Sequence, residues 1–306
     1  MSDFNRSIRE NTGLRLMVLF GSFCVLLSLA SVIFLLLSKC ESIGERNALL
    51  MSSAIQCVLA FCLPAMFCGI FASRKPVEWL GLATPLRLKS IIGVLILYVL
   101  VLPAMNQLIA WNASIHLPDW ASGVEACLRE MEDAAGDTTN KILSFTGIGG
   151  MLATIGVVGL LTGFSEELFF RGALQKVFSQ SRMSEWLAIW GAAFIFSAVH
   201  FQFFGFLPRL LMGAMFGYLY VWSKSLWLPI FAHAVNNSVV VATSHTLGNA
   251  LEGEAVVEGS QSLGIDSFGI ASDGKIPWAA IASAIATAIF LYRFRGYFFC
   301  GRRTVD

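Results

Sequence analysis

Long apolar segments separated by short polar connections constrain the fold of this chain more than any other feature. Eight such segments occur, at about residues 15–38, 48–72, 89–111, 146–168, 186–204, 206–223, 226–246 and 277–294. A helix of roughly 20 apolar residues spans the hydrocarbon core of a bilayer. Charged residues make up only 13% of the chain, about half of the share that is usual in soluble domains. The sequence therefore predicts an all-α, polytopic membrane protein with about eight transmembrane helices.

The first apolar segment follows Arg6, Arg9 and Arg15, as the apolar region of a signal peptide would. However, residues 16–37 form 22 consecutive positions without a charge. The apolar region of a signal peptide has about 7 to 15 residues and ends at a cleavage site. The length of this segment favours a first transmembrane helix that is retained.

The distribution of basic residues tests the number of spans, because cytoplasmic loops carry an excess of Lys and Arg. With eight spans, 15 of the 21 basic residues fall on the side that holds both termini. The six on the opposite side are Lys39, Arg46, Arg129, Lys141, Arg209 and Lys275. We therefore expect eight spans with both termini in the cytoplasm.

Two longer, acidic connections are expected on the outer side, at about residues 112–145 and 247–276. Within the first, residues 124–135 have the apolar spacing of an amphipathic helix, and both connections are interpreted as solvated. We expect a single membrane domain over residues 1–306. Its parts are 1–145 with three spans and the first outer loop, 146–246 with the candidate motifs, and 247–306 with the second outer loop and the last span.

Ionisable residues at the end of the fourth segment are the first candidates for chemistry. Glu166, Glu167 and Arg171 lie there, and each ionised side chain inserted into a bilayer costs about 2.5 to 3.5 kcal/mol. Glu167 and Arg171 are four residues apart, so they can pair on a helix. Glu166 is turned away from that contact and can act as a general base on water. A salt-bridged helix end is the structural alternative.

Two further polar patterns occur in the fifth and seventh segments. Phe196 is followed four residues later by His200, and His233 is followed four residues later by Asn237. His233 and Asn237 share a helix face and can offer two donors to an oxyanion, although an intramembrane histidine can equally join two helices. With Glu166, these residues suit hydrolysis of an amide by activated water.

Glutamate and histidine also bind zinc, so the residues fit a metal-assisted reaction as well as a metal-free one. The ligands of a metal would be Glu166, His200 and His233. Convergence of these three residues requires either tilted spans or a fourth helix that continues beyond residue 168, and we expect the latter.

Two smaller expectations concern packing and cross-links. Gly213 and Gly217, four residues apart in the sixth segment, predict a close helix contact. Cys40 and Cys127 fall in loops expected on the same side, so a disulfide between them is conceivable.

The three ordered motifs resemble those of the CAAX protease and bacteriocin-processing family, also called the Abi family. They are Glu166-Glu167-x-x-x-Arg171, Phe196-x-x-x-His200 and His233-x-x-x-Asn237. The resemblance covers about residues 146–246, and the family includes the type II CAAX prenyl endopeptidases. Each motif is short, but the ordered set of three is specific.

The resemblance implies a role for each motif residue. Glu166 would activate the attacking water with the help of His200, while His233 and Asn237 would stabilise the oxyanion. The supporting residues would be Glu167, Arg171 and Phe196.

The resemblance implies an intramembrane endopeptidase of the CAAX type, or one that processes bacteriocins or signalling peptides. Its cofactor would be zinc or none, since family members have been described both ways. The expected partners are a peptide or membrane-protein substrate and the lipid bilayer, without nucleic acid, and the expected location is a bacterial plasma membrane. The alternative is a non-catalytic membrane immunity or scaffold protein that uses the same polar cluster for packing.

Overall fold

The computed structural model describes residues 11–40, 42–250 and 278–298. These residues are almost entirely helical and contain no β-strand. The second acidic connection, expected at about residues 247–276, lies almost wholly outside the described residues. Five of the basic residues used to count the spans also lie outside the described residues. They are Arg6, Arg9, Lys275, Arg302 and Arg303.

Ten helices are described. They are α1 (Thr12–Leu37), α2 (Glu45–Ala72), α3 (Pro76–Trp79), α4 (Leu88–Ala113), α5 (Ser122–Leu143), α6 (Gly147–Ser179), α7 (Glu185–Ala198), α8 (Phe206–Ser223), α9 (Trp227–Ala250) and α10 (Trp278–Phe298). Short 3-10 turns precede α5 and α8, at Asp119–Ala121 and Phe203–Gly205. The helices α3 and α5 lie in connections, and the other eight coincide with the eight predicted apolar segments.

Five stretches of the described chain are long and apolar enough to cross a membrane. They are α1, α2, α4, α6 and Phe203–Ser223, which contains α8. The 24 residues of α9 measure about 36 Å at 1.5 Å per residue, against a hydrocarbon core of about 30 Å. The prediction of an all-α, polytopic membrane protein is confirmed.

The fifth helix is shorter than its apolar segment predicted. α7 has 14 residues, or about 21 Å, and ends before His200. The chain turns there because Phe201 adopts a left-handed backbone conformation with φ 53°, which residues other than glycine adopt uncommonly. The apolar residues after the turn belong to the 3-10 turn that leads into α8.

The fourth helix, α6, continues to Ser179, so the expectation that it extends beyond residue 168 is confirmed. Two π-helical segments interrupt it, at Ile155–Leu161 and Leu168–Gln175. The segment Thr162–Glu167 between them is α-helical and carries both glutamates. π-Helical turns inside α-helices are frequent at functional sites.

The predicted glycine contact forms between α8 and the helices beside it. A Cβ added at Gly213 would lie 3.3 Å from the Cα of Ala193, and one at Gly217 would lie 2.8 Å from Oε1 of Gln175. The carbonyl of Gly213 accepts a 2.9 Å hydrogen bond from Arg171, and that of Gly217 accepts a 3.3 Å bond from Gln175. The absence of side chains therefore brings the backbone of α8 within reach of α6.

An aromatic core lies on the opposite side of α6, against α1 and α2. Phe169 and Phe170 are each only 1% exposed. The ring of Phe169 lies 5.3 Å from that of Phe23 in α1 and 5.6 Å from that of Phe61 in α2. Buried aromatic pairs at these distances are attractive beyond the area that they bury. α6 is thus fixed between α1 and α2 on one side and α8 on the other.

The amphipathic helix predicted at residues 124–135 is present and longer, as α5. Lys141 near its C-terminus forms a 2.7 Å ion pair with Glu45 of α2. Near its N-terminus, the backbone N–H of Leu117 donates to Glu125, which also pairs with Arg129. These hydrogen bonds lower the pKa of Glu125 to about 2. α5 is therefore anchored by polar contacts near both of its ends.

Cys40 and Cys127 are free, exposed thiols. The disulfide considered from the sequence is therefore not formed. Cys57, Cys62 and Cys68 are free and buried in α2, where a thiol behaves as a small apolar packing group.

Candidate active site

Four helices meet around a buried polar cluster: α6 contributes two carboxylates and a guanidinium, and α9 contributes an imidazole. Glu166 is 9% exposed, His233 is 5% exposed, and Glu167 and Arg171 are inaccessible. α7 and α8 close the cluster with aromatic rings. The structure thus brings the first and third motifs of the sequence into direct contact.

Glu167 is held by two donors. Nη1 of Arg171 lies 2.6 Å from Oε1 of Glu167, and Nδ1 of His233 lies 2.8 Å from the same oxygen. The predicted pairing of Glu167 with Arg171 is therefore confirmed. Since a carboxylate can only accept, Nδ1 of His233 carries a proton. Because Glu167 binds Nδ1, the nitrogen of His233 that is free to face the rest of the site is Nε2.

Glu166 is not bound by that pair and faces the other nitrogen of the same imidazole. Its Oε2 lies 3.8 Å from Nε2 of His233. This distance is too long for a direct hydrogen bond but allows a water molecule to contact both atoms. The two adjacent glutamates therefore face the two nitrogens of one imidazole, Glu167 at Nδ1 and Glu166 at Nε2.

Aromatic rings fix the orientation of the polar groups. The imidazole of His233 stacks on Phe216 of α8 with ring centroids 5.0 Å apart, and Phe196 of α7 meets it edge-on at 6.0 Å. The guanidinium carbon of Arg171 lies 4.7 Å from the centre of Phe196 and 5.4 Å from that of Phe216. Cation–π attraction is strongest when the cation is removed from water, as it is here. Phe196 thus contacts both the histidine and the arginine.

Phe216 could not be singled out from the sequence, because it is one of 25 phenylalanines and belongs to none of the three motifs. The available signal is its spacing, since it lies between Gly213 and Gly217 on the helix that packs closely against α6. No property of the residue itself distinguishes it from those that face lipid.

The ring of His200 packs against that of Phe196, which also meets the ring of His233. Its Nδ1 is 2.7 Å from the carbonyl oxygen of Phe196, and the two rings are 5.2 Å apart. Among the described residues, it forms no ion pair with Glu166 or Glu167. The structure therefore places His233, and not His200, beside Glu166.

Asn237 lies on the same helix as His233 and ties α9 to α6. Its side-chain amide donates a 3.0 Å hydrogen bond to the carbonyl of Val158, in the first π-helical segment, and its oxygen accepts from Asn236 at 3.2 Å. Nδ1 of His233 is also engaged, by Glu167. Of His233 and Asn237, the two residues expected to stabilise an oxyanion, His233 is therefore the one that faces Glu166, through Nε2.

The backbones of α6 and α9 touch beside the cluster, at Gly163. A Cβ at this position would lie 3.0 Å from the backbone nitrogen of Ala234 and 3.2 Å from its Cα. Ala234 follows His233 directly. This contact sets the separation between the helix with the glutamates and the helix with the histidine.

Replacing Gly163 by Ala is expected to force α6 and α9 apart and to destabilise the protein by about 1–3 kcal/mol, as overpacking typically does. The neighbouring atoms are backbone atoms, so no side chain can rotate away. Gly156→Ala is the matched control, because nothing lies within 4 Å of a Cβ added there. Thermal unfolding in detergent measures the difference, and equal unfolding temperatures for the two variants would contradict this explanation.

The described residues do not fit the three-ligand zinc site considered from the sequence. No three His, Cys, Asp or Glu side chains in the described part of the chain are grouped so that they could hold a metal ion. Of the three candidates, Glu166 and His233 face each other, and His200 is bonded through Nδ1 to the carbonyl of Phe196. The reaction is therefore considered below through the protein's own groups.

The segment with these residues matches a known family. Residues 148–239 match the family model described as type II CAAX prenyl endopeptidase Rce1-like, and this stretch contains all three motifs. The match covers less than a third of the chain, from the first turns of α6 into α9. Over these residues, the resemblance to the CAAX protease family is confirmed.

A relative from Bacillus subtilis (strain 168), named uncharacterized protein YpbD, is 31% identical over 84 residues. The alignment covers 26% of this chain and 40% of YpbD, so the chain spans less than half of that relative. No solved structure matches the chain.

Proposed function

We propose that this protein is an intramembrane endopeptidase in which Glu166 activates a water molecule for hydrolysis of a peptide bond. The observation that carries the proposal is the 3.8 Å separation of Glu166 Oε2 and His233 Nε2 within a buried cluster. One water molecule can hydrogen-bond to both atoms. A general base must lie within hydrogen-bond reach of the proton that it removes, directly or through one water.

In the proposed reaction, Glu166 accepts a proton from this water while the oxygen attacks the carbonyl carbon of the substrate. The tetrahedral intermediate then collapses, and the C–N bond breaks. Glu166 returns its proton to the leaving nitrogen, so the products are a new carboxyl group and a free amine. No atom other than those of the water and the substrate is consumed.

His233 is proposed to stabilise the negative oxygen of the intermediate through Nε2. Donation from Nε2 requires an imidazolium, because Nδ1 already carries the proton that binds Glu167. The cluster contains two carboxylates and one guanidinium, so a proton on the imidazole brings its net charge to zero. Glu167 fixes the orientation of the imidazole through Nδ1, as a carboxylate does beside other catalytic histidines.

Asn237 and His200 are proposed as further donors to the bound substrate. For Asn237, this role requires the side-chain amide to leave the carbonyl of Val158, to which it is bonded. His200 would act with the nitrogen that is not bonded to the Phe196 carbonyl. A peptide that passes over Phe196 would bring its polar backbone to both histidines.

The proposed substrate class is a peptide segment at or within the membrane, of the CAAX type or a bacteriocin or signalling peptide. The description of the matching family supports the CAAX type. Burial of the cluster supports a substrate that unfolds locally to enter, because an extended backbone is needed to reach a site between packed helices.

The test is hydrolysis by the purified protein in liposomes, with a library of membrane-associated peptides in water enriched in oxygen-18. We expect cleavage products whose new carboxyl group contains one labelled oxygen, since hydrolysis adds the oxygen of one water molecule to the carbonyl carbon. The matched control is the Glu166→Gln protein, which retains the shape of the side chain but lacks the base.

A wild-type protein that cleaves none of the peptides would contradict the proposal and favour a membrane immunity or scaffold protein. Labelled products at equal rates from wild type and Glu166→Gln would contradict the role of Glu166 but leave hydrolysis of the peptide bond as the reaction. These outcomes separate the activity from its mechanism.

A further inference from the structure

Helix α5 contacts the turn that follows His200 through a single face. The guanidinium carbon of Arg129 lies 4.1 Å from the centre of the Phe204 ring. Oε2 of Glu132, one turn later on α5, accepts a 3.2 Å hydrogen bond from the backbone N–H of Phe204. Phe204 is only 5% exposed. α5 therefore holds this residue by its ring and by its backbone.

The other oxygen of Glu132 reaches closer to the candidate active site. Oε1 accepts a 3.1 Å hydrogen bond from Nε2 of Gln202, and Oε1 of Gln202 accepts a 2.8 Å bond from Nη2 of Arg209. Gln202 follows His200 by two residues. The Arg209 guanidinium interacts electrostatically with Glu132 and also with Glu166. A hydrogen-bonded chain thus leads from α5 through Gln202 to Arg209 of α8.

The turn needs such support because its backbone is strained. Phe201 has φ 53°, and a non-glycine residue in this region costs about 1–3 kcal/mol unless its surroundings compensate. On the side away from α5, Asn112 of α4 donates to the carbonyl of Phe203 and accepts from the N–H of Leu207. The turn is therefore fixed from both sides, by α4 and by α5.

α5 itself is attached more loosely than the other long helices of the described chain. None of its residues is buried, so no apolar core holds it in place. The contact of Glu132 with the turn is thus a polar attachment that could be lost without disrupting the core around Phe169.

We propose that α5 is a clamp for the active site and that Glu132 is its positioning residue. Through its bonds to Gln202 and Phe204, Glu132 holds the turn that carries His200, and through Gln202 it also positions the guanidinium of Arg209. Glu132 does not touch the substrate. The catalytic consequence rests on the proposed function, whereas the effect on the position of His200 does not.

The test compares Glu132→Ala and Glu132→Gln with Glu130→Ala, which removes an exposed carboxylate two residues away. Two properties are measured on the full-length protein in liposomes: the kcat and KM of peptide hydrolysis, and the rate at which diethyl pyrocarbonate modifies His200, followed by mass spectrometry. The reagent attacks a free imidazole nitrogen, so its rate reports how well the turn covers His200.

For Glu132→Ala we expect kcat to fall about tenfold or more with KM little changed, because a displaced group slows the reaction step. Modification of His200 should accelerate several-fold over the same time course. Glu132→Gln retains one acceptor for Phe204 or Gln202 and should give intermediate values. Glu130→Ala should match the wild type in both measurements.

Wild-type kcat and wild-type modification of His200 in Glu132→Ala would overturn the clamp. Equal changes in Glu130→Ala would also overturn it, since the effect would then come from charge alone. If Glu132→Ala does not fold, Glu132→Gln and Gln202→Ala carry the same comparison. If the wild type cleaves no peptide, the proposed function fails, and the modification of His200 still decides whether the clamp exists.

Discussion

Replacing Arg171 by Met is expected to destabilise the folded protein by about 3–5 kcal/mol, the usual cost when one partner of a buried ion pair is removed. Arg171 and Glu167 are both inaccessible to solvent, and their contact of 2.6 Å is the shortest in the cluster. Without the guanidinium, Glu167 would remain as a carboxylate in the protein interior with His233 as its main remaining donor. The carbonyl of Gly213 would also lose its bond from Arg171.

A double variant separates the charge from the packing. In Arg171→Met with Glu167→Met, no unpaired charge remains, and two apolar side chains of suitable length often replace a buried ion pair at little cost. We expect most of the stability to return. Activity should not return, because Nδ1 of His233 has lost the acceptor that orients it.

Unfolding in mixed detergent micelles with increasing denaturant measures these changes. Arg182→Met is the control, because Arg182 is exposed in the turn after α6 and its loss should change stability by less than about 0.5 kcal/mol. Two results would contradict the explanation: Arg171→Met as stable as the control, or a double variant less stable than Arg171→Met.

The helical organisation of the chain could be predicted because it depends on local patterns. The apolar segments marked the long helices, since the requirement for about 20 apolar residues is imposed by the bilayer. The pairing of Glu167 with Arg171 followed from their spacing of four residues. The expectation that α6 continues past residue 168 came from requiring distant motifs to converge, which is a geometric argument that needs no coordinates.

Contacts between segments could not be predicted in the same way. Glu132 and Gln202 are 70 residues apart, and nothing in either residue indicates the other. The end of α7 at Ala198 depends on a left-handed residue, Phe201, whose side chain favours no such turn. The sequence also paired His200 with Glu166 through the family resemblance, whereas the fold places the His233 ring beside Glu166.

The two adjacent glutamates are expected to respond oppositely to the same substitution, and this comparison tests the site most directly. Glu166→Gln should lower kcat by about 10²–10⁴-fold, the usual contribution of a general base, because an amide cannot accept a proton from water. It should leave the fold unchanged or more stable, since the substitution removes a buried charge and breaks no contact shorter than 3.8 Å to His233.

Glu167→Gln, in contrast, should destabilise the protein, because the buried Arg171 then lacks its counter-charge. Peptide hydrolysis and unfolding are measured on both variants in the same liposomes and micelles. Loss of stability without loss of kcat in Glu166→Gln would show that Glu166 is a structural residue. Equal losses of stability in both variants would show that the two carboxylates act as one unit. That result would contradict the description of the site as one histidine with a different glutamate at each nitrogen. The expected pattern, a stable inactive Glu166→Gln beside an unstable Glu167→Gln, follows from one difference: Glu167 shares its oxygen with Arg171 and His233, whereas Glu166 keeps its oxygen for a water.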